Sequence, residues 1–170
     1  MMEEDRGRKD IFTAIFVMPF LLLAGFFALL FYIVAYPFIF IYRQWLKYRF
    51  WQRHGKYGRF VLFVYSDSPN WKDYIKANIL PRIESHAVTL NWSKRREWNQ
   101  INPFEAKVFN HWAGEKEFNP MALVFSTDGK VKDVRFWRAF RDFNHGKEAS
   151  LKQAENLLFT EVERIASRLA

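Results

Sequence analysis

An α/β domain attached to a membrane segment is the architecture this sequence of 170 residues predicts. Three observations predict it. Residues 11–42 carry no charged side chain. Beyond residue 59, short apolar runs alternate with amphipathic stretches in the order β-α-β-α-β-β-α, which gives a mixed sheet flanked by helices. The last two runs are joined by Asp128-Gly129, a strong signal for an antiparallel hairpin.

The apolar run follows a tail, residues 1–10, of net charge −1. Twenty of its positions are Leu, Ile, Phe or Val. At the usual insertion energies their gross preference for lipid is on the order of −8 kcal/mol. A cleaved signal peptide would need a basic start, a shorter run and small residues near its end, and Tyr36, Pro37 and Phe38 stand there instead. As one helix the run would reach about 48 Å, against a hydrocarbon core of about 30 Å. Pro19, Gly25 and Pro37 are possible breaks, so a single transmembrane span and a re-entrant hairpin are both open.

Residues 43–58 form a basic, aromatic segment of net charge +5 with no acid. Arg43, Lys47, Arg49, Arg53 and Lys56 alternate with Trp45, Tyr48, Phe50 and Trp51. Bases flanking an apolar segment mark its cytoplasmic side, which places the following domain in the cytoplasm. The same five bases are candidate contacts for anionic lipid headgroups, with an ordinary stop-transfer flank as the alternative. Nucleic acid is not expected at a patch pressed against a bilayer.

The soluble domain, residues 59–170, opens with RFVLFVYS (59–66), a buried-strand pattern. Asp67-Ser68-Pro69-Asn70 is turn chemistry, with Ser68 as N-cap and Pro69 at the first helical position. The helix that follows carries Trp71, Tyr74, Ile75, Asn78, Ile79 and Ile83 on one face, and Pro81 should kink or end it. HAVTLNWS (86–93) is the second strand, with Val88 and Leu90 on one face, and KRREW (94–98) a solvated basic loop. A second helix runs from Pro103 to about Trp112 and stops at Gly114. MALVFS (121–126) and KVKDVRFW (130–137) are the hairpin strands. Residues 150–169 make an amphipathic helix whose apolar face is Leu151, Ala154, Leu157, Leu158, Val162, Ile165 and Leu169. Arg135, Arg138 and Arg141, set among Phe136, Trp137, Phe140 and Phe143, read either as a partner surface or as the solvated face of the last strand.

With no cysteine, the chain has no disulfide, thiolate ligand, iron–sulfur cluster or cysteine nucleophile. His54, His86, His111 and His145 show no metal-ligand spacing, so neither metal nor cofactor is expected.

Over residues 59–168 the chain resembles the thioredoxin-like superfamily. The element order is that fold's. YSDSPNW (65–71) sits at the junction of first strand and first helix, where redox members carry their thiols, and Asn119-Pro120 stands directly before the third strand, where the fold has a cis-proline. The resemblance implies a cis Asn119–Pro120 bond beside Ser68 to Trp71. Thiol exchange is excluded, because a serine hydroxyl neither ionises like a thiol nor forms a disulfide. What remains is a binding scaffold, with Asp67, Ser68, Pro69, Asn70, Trp71, Asn119 and Pro120 as the candidate site for a ligand or protein partner. The expected function is a membrane-anchored, non-redox module that binds a protein or lipid partner at the cytoplasmic face. Catalysis at the former redox locus and an accessory subunit of a larger membrane complex are the alternatives.

Overall fold

The computed structural model describes residues 2–101, 103–114 and 116–169, with side chains from Val17 onward apart from Asn99. Its contacts divide it into two units, Met1–Arg43 and Gln44–Ala170.

The first unit is helical. Helix α1, Met2–Arg53, passes without a break through Pro19 and Pro37. The re-entrant alternative is therefore not the one that forms. A helix satisfies its backbone internally, whereas a turn inside an apolar run strips several groups of their partners. The large side chains from Val17 to Tyr42 are exposed, Phe31 to 75%. This is the one helix among the described residues long and apolar enough to cross a membrane, with a mean hydropathy of 2.5 over its most apolar stretch.

The second unit is built on a sheet of order β2-β1-β3-β4. The strands are β1 (Val61–Tyr65), β2 (Ala87–Asn91), β3 (Met121–Phe125) and β4 (Val131–Arg135). β1 and β2 are parallel, with Val61 opposite Ala87, while β3 runs antiparallel to both β1 and β4. The sheet is thus mixed, as the sequence predicts.

A parallel pair needs a crossover. It comes from α2 (Lys72–Tyr74), a π-helical stretch at Ile75–Ile79 and α3 (Leu80–Ile83). Pro81 neither ends nor sharply breaks this run. The wider π turns lie just upstream of it, where a proline ring would otherwise press on the carbonyl four residues back. Ser68 does not cap the helix: its hydroxyl accepts the Asn70 amide at 3.4 Å, and the helix begins after Trp71. Pro69 therefore sits in the turn and not at the first helical position.

Alternate strand residues separate two cores. Val61 and Phe63 of β1, with Ala122 and Val124 of β3, face Ile75, Ile79, Ile83, Phe140 and Leu158. Those come from the crossover, from α6 (Trp137–Asn144) and from α7 (Ala149–Leu169). Leu62, Val64, Leu90, Met121, Leu123 and Phe125 face α4 (Trp98–Ile101), α5 (Pro103–Ala113) and the last turns of α1, through Trp98, Val108, Phe109, Leu46 and Phe50. Leu46 and Phe50 are completely buried.

That burial changes the reading of residues 43–58. From Gln44 the segment belongs to the second unit, and two of its apolar side chains are core. The sequence gives no sign of this, because a stop-transfer flank and a core helix both interleave large apolar residues with bases.

Helix α6 is the other correction. The last strand ends at Arg135 and the chain turns helical at Trp137. Phe136, Ala139 and Phe140 are buried and Phe143 packs against the same core, a helical i, i+3, i+4, i+7 set. On α7 the core face includes Phe159, while Leu157 and Leu169 are exposed. The second strand stops at Asn91, so Trp92 and Ser93, expected in the strand, and residues 94–97, expected as loop, form a 3-10 stretch, Trp92–Glu97. Asn91 opens it by accepting the Ser93 amide at 2.9 Å.

Candidate functional site

The junction of β1 and α2 is a knot of hydrogen bonds. Ser66 is buried and accepts the indole N–H of Trp71 at 3.2 Å. The amide of Asp67 donates to Ser93 Oγ at 2.9 Å. One carboxylate oxygen of Asp67 accepts from Asn91 Nδ2 at 2.9 Å, and the other lies 3.3 Å from Lys72 Nζ. The bond from Asn91, helped by Lys72, holds the Asp67 carboxyl below the ordinary carboxylate range against a smaller upward push from desolvation. Asp67 is therefore an ionised structural acceptor that ties β1 to β2 and α2.

Asn70 and Trp71 face the other way. They line a cleft of about 310 Å³ whose opposite wall is α6, through Trp137, Arg141 and Asn144, with His145 just beyond the helix end. Asn144 Nδ2 donates to the Asn70 carbonyl at 3.4 Å and closes one end. Arg141 lies over the Trp137 ring, 5.4 Å from its centroid. Trp71 is braced from behind by Phe140, at 6.1 Å between ring centroids. The cleft offers two indole surfaces, a guanidinium and side-chain amides, a set suited to holding a ligand with an apolar body and an anionic or carbonyl acceptor.

Asn119–Pro120 is cis. Pro120 is buried, and its carbonyl accepts the Phe136 amide at 2.9 Å, the last bond before α6 begins. Asn119 Oδ1 is buried without a hydrogen-bond partner among the described residues. Of the seven candidate residues, then, Asn70 and Trp71 line the cleft. Asp67 and Ser68 are engaged within the junction beside Ser66, Pro69 sits in its turn, and Pro120, preceded by the buried Asn119 amide oxygen, secures the start of the helix opposite.

Asn144 and His145 are contributions the sequence did not suggest, while Trp137 and Arg141 belong to the Arg-aromatic stretch read either as a partner surface or as a strand's solvated face. The signal was present: Trp137, Arg141 and Asn144 are spaced i, i+4, i+7 and share a face once the segment is helical.

The five basic residues also divide. Lys47 Nζ donates to the Gly129 carbonyl at 2.8 Å. Arg53 Nε lies 3.3 Å from Glu105 Oε1, and Lys56 lies over the Tyr57 ring. Arg49 packs over Trp45 at 5.7 Å. Glu105 is buried, with His54 Nε2 at 2.6 Å. Burial alone would raise its carboxyl. The His54 bond, a backbone bond and Arg53 together outweigh that and hold it below its usual range.

Comparison with family models, curated proteins and solved structures finds no match to this chain.

Proposed function

We propose that the chain is a membrane-anchored, thiol-free thioredoxin-like module that binds a protein partner at the cytoplasmic face of a membrane. The observation that carries the binding reading is the cleft between Asn70–Trp71 and α6. It adjoins the β1–α2 junction, the place at which redox members of that fold carry their thiols, and it offers aromatic, amide and guanidinium groups. The sheet order β2-β1-β3-β4, with β1 and β2 parallel and the hairpin antiparallel, supports the thioredoxin-like assignment. The apolar stretch of α1 supports anchoring, and the five bases after residue 42 support a cytoplasmic domain. Lipid contact at the basic segment accompanies partner binding in this reading and does not replace it.

The cleft favours a peptide segment that presents a carboxylate. Arg141 supplies the charge, and the two indoles cover apolar side chains. A photoreactive amino acid placed at Asn144, in cells expressing the full chain, tests this. A discrete adduct with one protein is expected from position 144 and not from exposed position 152. Arg141→Gln should reduce the adduct. Equal labelling from both positions, or an adduct indifferent to Arg141→Gln, would place the functional surface elsewhere.

A further inference from the structure

A second cleft, of about 370 Å³, is lined by Arg49, Gln52, Arg53 and Phe104. Its volume is at the lower end of small-molecule sites, roughly 300–1,000 Å³. Positions 49, 52 and 53 are spaced i, i+3, i+4 on α1, so their side chains emerge on one face. Leu46 and Phe50 occupy the neighbouring face and are anchored in the core, which fixes how this turn is presented.

The two guanidiniums have different supports. Arg53 lies over the Phe104 ring at 5.7 Å, and its Nε lies 3.3 Å from Glu105 Oε1. Its side chain is nevertheless 58% exposed. Glu105, for its part, is held mainly by His54 at 2.6 Å. Among the described residues no other acid reaches Arg53, and Arg49 has only the Trp45 ring. Each guanidinium thus keeps donors for a ligand.

We infer that this cleft is a binding site for a phosphate group. Two guanidiniums one helical turn apart, with the Gln52 amide between them, offer donors from several directions. A carboxylate is satisfied by one bidentate fork, whereas a tetrahedral phosphate has acceptors left for the second. Arg49 follows the apolar run by seven residues, and seven residues span at most about 25 Å even fully extended. A phospholipid headgroup is therefore within reach, and a soluble phosphate monoester presents the same chemistry. The inference deepens the lipid-contact reading of the basic segment and rests on it only for the lipid source.

The test uses the full chain in a maltoside detergent, which carries no phosphate. Native mass spectrometry would compare uptake of phosphatidylglycerol and diacylglycerol, and calorimetry would measure glycerol phosphate. Wild type should take up phosphatidylglycerol in preference to diacylglycerol. Arg49→Gln, which breaks no ion pair among the described residues, should lower that affinity about tenfold, the worth of one bond to a charged group. Lys56→Gln should change it little. Binding of the lipid alone assigns a headgroup, and comparable binding of glycerol phosphate assigns a soluble ligand; either supports the site. Arg49→Gln binding like wild type, or diacylglycerol binding as well as phosphatidylglycerol, would overturn it. So would a Lys56→Gln loss equal to that of Arg49→Gln. That result would still leave a diffuse lipid contact standing, because charges acting collectively are all that contact requires.

Discussion

Phe50, on the penultimate turn of α1, stacks on Phe125 at the end of β3, with ring centroids 4.0 Å apart and planes inclined by 22°. The helix that begins as the apolar run thus ends as part of the domain's core. Phe50→Ala should destabilise the folded domain by about 3–5 kcal/mol, the usual cost of truncating a buried phenylalanine. Phe38→Ala, at an exposed position of the same helix, should leave the melting of the domain unchanged. Thermal unfolding of the full chain in detergent, followed by near-ultraviolet circular dichroism, measures both. Equal melting of Phe50→Ala and wild type would mean that the last turns of α1 are not core.

Arg135 closes the end of α5. Its Nη1 donates to the carbonyls of Ala113 at 3.0 Å and Lys116 at 2.9 Å, while its Nε holds Asp133 Oδ2 at 2.9 Å. Helix α5 ends there, with Gly114 in a left-handed conformation at φ 70°. A cation at a helix C-terminus meets both free carbonyls and the negative end of the dipole. Arg135→Gln should cost about 1–3 kcal/mol, and Arg138→Gln, at a more exposed position, clearly less. Denaturant titrations of the two variants check the contrast. Equal losses would show that Arg135 is one more surface charge.

Glu105 gives a pH dependence of definite sign. Its folded carboxyl is held below the ordinary value of 4.5. Such a group adds stability that is complete above the unfolded value and is lost as pH falls through the folded one. Glu105→Gln should therefore be less stable than wild type at neutral pH, by about 3 kcal/mol if it behaves as a broken buried pair. The gap should narrow only below pH 4.5. Melting curves from pH 7 to 3 test this, and a gap constant over that range would contradict the pairing with His54 and Arg53.

The sheet and its order of elements were legible because β1 and β3 are unbroken apolar runs and Asp128-Gly129 fixes the hairpin. The burial of Leu46 and Phe50 was not legible. Apolar residues among bases after a hydrophobic run satisfy an interfacial pattern and a core pattern equally well. The α6 side of the cleft was hidden for a related reason. Val134 and Phe136 extend the strand pattern through Trp137, Arg141 fits a strand's solvated face as well as a partner surface, and Asn144 carries no signal of its own. Only helical spacing brings Trp137, Arg141 and Asn144 to one side, facing Asn70 and Trp71. The hydrogen-bonded state of Asp67 also depends on Asn91 and Ser93, residues more than twenty positions away, which no local pattern reveals.

The most direct measurement concerns where the domain sits. The chain has no cysteine, so Lys152→Cys introduces a single reporter at a side chain 69% exposed on α7. In cells expressing the full chain, the protein should remain with membranes after alkaline extraction. A membrane-impermeant maleimide should label position 152 only after the cells are permeabilised. Labelling of intact cells would put the domain on the opposite side, and release by alkali would contradict the membrane anchor itself.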